Sequence, residues 1–141
     1  MSPDSSWRDE RREAFAAHAA ALDRRRAAET EQARKLLLGF VRAMVQRGIQ
    51  PGPLRARVPE SGTSYRTNIS GWYLRRNKSL GADLEGGYCI LDVPASLRSR
   101  LFGVRIEPTD PPLTVGVGAR DGESIALEEL LRLRLEAGED W

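Results

Sequence analysis

From Ser6 to Arg47 the chain contains no proline and a single glycine, Gly39, and is rich in alanine, arginine and glutamate. So long a run of strong helix formers without a breaker predicts α-helix. Its second half carries Ala33, Leu36, Leu37, Phe40, Val41 and Met44 at the i, i+3, i+4, i+7 spacing of a core-facing stripe. The preceding stretch, AFAAHAAALDRRRAAETEQ, holds only Phe15 and Leu22 as large apolar residues, and a heptad drawn through Phe15, Ala19 and Leu22 runs onto Arg26 and Glu29. Residues 1–29 therefore read as a weakly docked helical extension suited to self-association, and residues 30–141 as a single α+β domain. Whether residues 6–47 form one helix or two is left open by the pattern. Ser6 is the expected N-cap, with Asp9 completing a variant capping box. Gly48 is placed to end the helix and Pro51 to prevent its continuation.

Beyond Leu54 the pattern changes to short apolar runs separated by turn residues, the signature of an antiparallel sheet. Strands are expected near 54–58, 67–75, 79–84, 88–93, 103–107 and 113–117. The turn RNKS is expected to use Asn77 for its left-handed residue, and Gly86 and Gly87 to make the next turn. PASLRSRLFG reads as a short helical turn and EPTDPP as a rigid surface loop. The last element, DGESIALEELLRLRLEAG, carries Ile125, Leu127, Leu130, Leu131 and Leu135 at helical spacing, with its start at Ser124 or Glu123 and Gly138 after its end. The fold class is α+β: a long N-terminal helix, an antiparallel meander of about five strands, and a C-terminal helix packed on the sheet.

A chain of 141 residues, 40% hydrophobic and 30% charged, has enough apolar material for one core without a covalent or metal staple. One cysteine, Cys89, and one histidine, His18, exclude an internal disulfide and a Cys/His zinc cluster. No segment offers the roughly 18 consecutive apolar residues of a membrane span, and the N-terminus lacks the apolar core of a signal peptide. A cytoplasmic protein with no membrane partner and no cofactor is expected. Its net charge of +2 is unevenly spread. Residues 54–78 hold Arg55, Arg57, Arg66, Arg75, Arg76 and Lys78 against Glu60 alone, whereas residues 107–141 hold three arginines against nine carboxylates.

Three segments, SGWYLRRNKSLGADLEGGYCIL, LFGVRIEPTDPPLTVG and GARDGESIALEELLRLRL, follow one another in an order that resembles a family of small uncharacterised actinobacterial proteins. The resemblance covers most of residues 36–137. It implies a single domain and carries over no activity, cofactor or site residue.

Two stretches are candidates for binding. Strand alternation puts Trp72 and Leu74 on one face of the second strand and Ile69, Gly71, Tyr73 and Arg75 on the other. With Trp72 toward the helices as a core anchor, Tyr73, Arg75, Arg76 and Lys78 form an outward basic corner able to stack on bases and neutralise phosphates. The competing reading is a solvated turn whose arginines pair with Asp83, and the segment matches no ribonucleoprotein motif, helix-turn-helix or zinc finger. The second stretch, VGVGARDGES, opens a helix and offers Arg120 and Ser124 to a small anion, although it lacks the βαβ context of a phosphate loop. Catalytic material is thin. His18 lies among alanines, Cys89 sits mid-strand between Tyr88 and Ile90 as an inert thiol, and Asp83, Glu85 and Asp92 read as edge and turn acids. The reading is a non-enzymatic domain that works through protein contacts, self-association included, with nucleic-acid binding as the alternative.

Overall fold

The computed structural model describes residues 3–116, 124–139 and 141. Helix α1 runs unbroken from Pro3 to Gln46. It starts upstream of the Ser6 cap expected from sequence, at a proline whose fixed φ and missing N–H suit the first turn, where N–H groups have no intrahelical partner. Its other end closes as a Schellman motif. Gly48 takes φ +71°, its N–H donates to the Val45 carbonyl, and the Ile49 N–H donates to the Met44 carbonyl, each at 3.0 Å. Met44 and Ile49 are both buried in the same core, so the motif turns the chain directly into the body.

Four strands follow as an antiparallel meander: β1 (Gly52–Arg57), β2 (Ser64–Tyr73), β3 (Leu80–Asp83) and β4 (Tyr88–Ile90). Between the pairs Pro53/Ser70 and Arg55/Arg66 the register slips, leaving extra residues on β2. Thr67 satisfies this bulge, its hydroxyl donating to the Leu54 carbonyl at 2.6 Å and accepting the Ile69 N–H at 3.1 Å. The bend curls the sheet until the chain beyond β4 meets β1 again. The Arg57 N–H donates to the Leu91 carbonyl and the Val93 N–H to the Arg57 carbonyl, at 2.8 and 2.9 Å, and an Arg57–Asp92 ion pair at 2.7 Å reinforces the junction. In the β2–β3 turn the left-handed residue is Lys78, φ +62°, and not Asn77. The Asn77 amide oxygen instead accepts the Ser79 N–H and hydroxyl, a side-chain turn that shifts the positive φ one residue on.

The strand expected at 103–107 forms no ladder. Val104 and Thr109 make single bridges to Thr67 and Tyr88, and the Asn68 side chain both accepts the Ile106 N–H at 2.7 Å and donates to its carbonyl at 3.2 Å, doing the work of a backbone partner. The short helix is α2 (Leu97–Phe102), capped by the Ser96 hydroxyl. The strand expected at 113–117 is β5 (Thr114–Gly116), which belongs to a separate two-stranded sheet with β6 (Ser124–Ala126). Helix α3 therefore begins at Leu127, later than the start expected at Ser124 or Glu123, and runs to Ala137. Its first N–H is held by the Leu113 carbonyl at 2.7 Å, while Glu128 and Glu129 supply negative charge to the first turn.

Strand alternation sorts the apolar side chains into two cores. Trp72, Leu74, Leu80, Ala82 and Tyr88 face α1 and α3, whereas Leu54, Ala56, Ile69, Cys89, Leu91 and Ile106 fill the interior of the curl. Burial pushes the Cys89 thiol up to about 11, with the Asp83 charge acting in the same direction. At pH 8 iodoacetamide is expected to modify Cys89 about 100-fold more slowly in the native chain than in urea. Equal rates would show that the curl opens readily. The linked effect has a definite sign: with a folded pKa above the ordinary thiol value of ~8.5, this contribution to stability is intact below that pH and is lost as pH rises towards 11.

Candidate functional site

The β2–β3 turn and α3 meet at a basic, aromatic corner. Trp72 and Tyr73 are adjacent and diverge by strand alternation. Trp72 is 3% exposed, sits edge-on to Phe40 at 6.4 Å between ring centroids, and donates its indole N–H to the Ile49 carbonyl at 3.0 Å. Tyr73 points the other way and is half-buried. Its hydroxyl accepts the Arg55 N–H at 2.9 Å, and its ring stacks on Trp141 with centroids 6.3 Å apart and planes inclined by 19°. Tyr73 is therefore already engaged by its own chain. Lys78 brings its ammonium to 5.4 Å from the Tyr73 ring.

Arg134 completes the corner. It is 7% exposed, donates Nε to the Tyr73 carbonyl at 2.7 Å and Nη1 to the Gly138 carbonyl at 2.8 Å, and holds its guanidinium 4.3 Å from the Trp141 ring centroid. Among the described residues no carboxylate pairs with it, and burial lowers its pKa from the usual arginine value. The signal for it lay in the sequence pattern, because Arg134 follows Leu127, Leu130 and Leu131 on the buried stripe of α3, where a charge must find carbonyl partners.

Arg75 is half-buried and Arg76 and Lys78 are exposed, and among the described residues none of the three forms an ion pair. The pairing with Asp83 anticipated from sequence is not made. The Asp83 carboxylate instead accepts the Glu85 and Gly87 N–H groups at 2.9 and 2.7 Å, closing the β3–β4 turn. Between the turn and α3 opens a cleft of about 270 Å³. Leu74, Leu130, Leu133 and Ala137 give it apolar surface, Trp141 is one wall, and Arg75, Arg76 and Arg134 supply the charge.

The other candidates are not gathered into a site. Ser124 is exposed in β6 opposite Gly116, and so does not lie at the start of α3, while Arg120 lies outside the described residues. His18 is exposed on α1, and Asp92 is committed to Arg57. Among the described residues no group of histidine, cysteine and carboxylate side chains is arranged to hold a metal ion, and no helix is long and apolar enough to cross a membrane.

A second surface belongs to α1. From Ser5 to Glu29 every residue but the half-buried Leu22 is exposed, including Trp7 at 56% and Phe15 at 73%. At ~100° per residue, Phe15 and Leu22 fall within the same arc of about 60° as Ala33, Leu37, Phe40 and Met44. Arg26 falls inside the same arc, so the stripe is interrupted between Leu22 and Ala33, and Phe15 lies exposed beyond the break. No protein-family model, curated protein or solved structure matches this chain.

Proposed function

We propose that this is a non-enzymatic protein-interaction domain that self-associates through the N-terminal half of α1. The supporting observation is that Phe15, in solvent, and the half-buried Leu22 share the helix face that Phe40 and Met44 present to the core, on one unbroken helix, with Arg26 interrupting the stripe between them. That exposed half extends about 40 Å, long enough for two copies to lie side by side and cover Phe15, Ala19 and Leu22 of each. A reducing, cytoplasmic setting suits a chain whose one cysteine is unpaired and buried.

Sedimentation velocity tests the proposal. The full chain is expected to sediment as a dimer or larger species at tens of micromolar, and Phe15→Glu/Leu22→Glu as a monomer with an unchanged melting temperature. Because neither residue belongs to either core, the substitutions leave the two cores intact. Identical sedimentation of the two proteins would refute self-association through this surface.

A further inference from the structure

We propose that the cleft between the β2–β3 turn and α3 binds a nucleobase with its adjacent phosphate, the base lying on the apolar surface against Trp141 and the phosphate pairing with Arg75 and Arg76. The cleft combines two features that few ligands satisfy together. Its floor is aliphatic and its wall is an indole, which favours a flat apolar face, while its rim carries guanidinium groups without carboxylate partners among the described residues. Inorganic phosphate would use only the rim, and an uncharged aromatic only the floor. A base joined to a phosphate uses both, with stacking and charge-assisted forks acting at once.

The roles of the side chains follow from their contacts. Tyr73 is a positioning residue: its hydroxyl is tied to β1, and its ring fixes Trp141 by stacking. Arg134, anchored on two carbonyls, holds the other contact to Trp141 and lends its charge to the cleft. Arg75 and Arg76 are the groups available to a phosphate, and Lys78 extends the positive track past the turn. Two sources offer this chemistry, a single strand and a free nucleotide. In duplexes the base faces are stacked and out of reach.

Fluorescence anisotropy with a labelled twelve-residue oligothymidylate, and competition by thymidine monophosphate, test the proposal on the full chain. Arg75→Ala/Arg76→Ala is expected to weaken binding at least tenfold and to flatten the salt dependence by roughly 1.4 in log–log slope, about 0.7 for each lost contact to a single strand. Trp141→Ala is expected to weaken it about tenfold by removing the apolar wall against which the base lies. The control, Arg98→Ala/Arg100→Ala on α2, removes the same charge elsewhere and is expected to change affinity less than twofold. Competition by the mononucleotide at concentrations near its own occupancy assigns the site to free nucleotides, and tight binding of the strand alone assigns it to single-stranded nucleic acid. Absence of binding by both probes overturns the proposal, as does an equal loss in the α2 control. It is also overturned if the acidic peptide Glu-Ala-Gly-Glu-Asp-Trp binds where neither nucleic-acid probe does.

Discussion

Trp72→Ala is expected to destabilise the domain by about 3–5 kcal/mol, measured as a lowered urea midpoint with little change in slope. Trp72 is buried where the sheet meets α1, packs edge-on against Phe40, and hydrogen-bonds Ile49, the residue that completes the cap of α1. Truncation opens a cavity between two layers and orphans a buried carbonyl in the same step. Trp72→Phe separates these effects: it keeps a ring against Phe40 and loses the N–H, for an expected cost of about 1–2 kcal/mol. An unfolding free energy for Trp72→Ala within about 0.5 kcal/mol of the parent would mean that α1 is not held to the sheet by this residue. The same variant bears on the cleft, because Leu74, two residues further on and in the same core, lines it.

Gly71→Ala is expected to cost about 3 kcal/mol or more, a large share of the roughly 5–15 kcal/mol by which a domain is ordinarily stable. Gly71 is paired on both sides, to Gly52 and to Asp83, and a Cβ placed there would sit 1.9 Å from the Ala82 carbonyl oxygen. The obstacle is backbone in the middle of a ladder, so it has no rotamer by which to yield. Two other glycines supply contrast. Gly116→Ala meets nothing within 4 Å among the described residues and is expected to be neutral within about 0.5 kcal/mol, and Gly39→Ala, also open among them and in a helix interior, is expected to stabilise by about 0.5–1 kcal/mol. Chemical denaturation of the three variants checks the order. A Gly71→Ala protein as stable as Gly116→Ala would contradict the pairing of β2 with β3 in this register.

Features set by neighbouring residues were legible in the sequence, and those set by distant ones were not. The periodic stripe of α1, the Gly48 stop and the hairpins flanking Trp72 follow from local spacing and turn chemistry. The slip in register at Thr67, the return of Leu91–Val93 to β1 and the bonding of Ile106 by Asn68 join segments far apart in the chain, and no local pattern encodes them. The same holds for the corner. Arg75, Arg76 and Lys78 announce themselves as a basic turn, but the cleft exists because α3 brings Arg134 and Leu133 across it and Tyr73 captures Trp141. Ser124 was misplaced for a related reason: the helical spacing of Ile125 with Leu127 and Leu130 hides the short strand that precedes α3.

Helix α1 is one element in geometry and two in energetics. Its C-terminal half is held by Leu37, Phe40 and Met44 in the core, whereas its N-terminal half rests on alanine propensity and local contacts such as Arg11 over Trp7, which sustain a helix only marginally in water. Opening free energy therefore rises along the rod from near zero at Pro3 to the global value near Met44. In the proposed self-association the second copy would have to supply the ordering of the distal turns, so part of the contact energy is spent on ordering and the net affinity is set by how far helix formation has already propagated from the body. On that proposal, substitutions in residues 16–28 that alter helix propensity while keeping Ala19 and Leu22 would act as a volume control on association, tuning its strength while leaving its specificity alone.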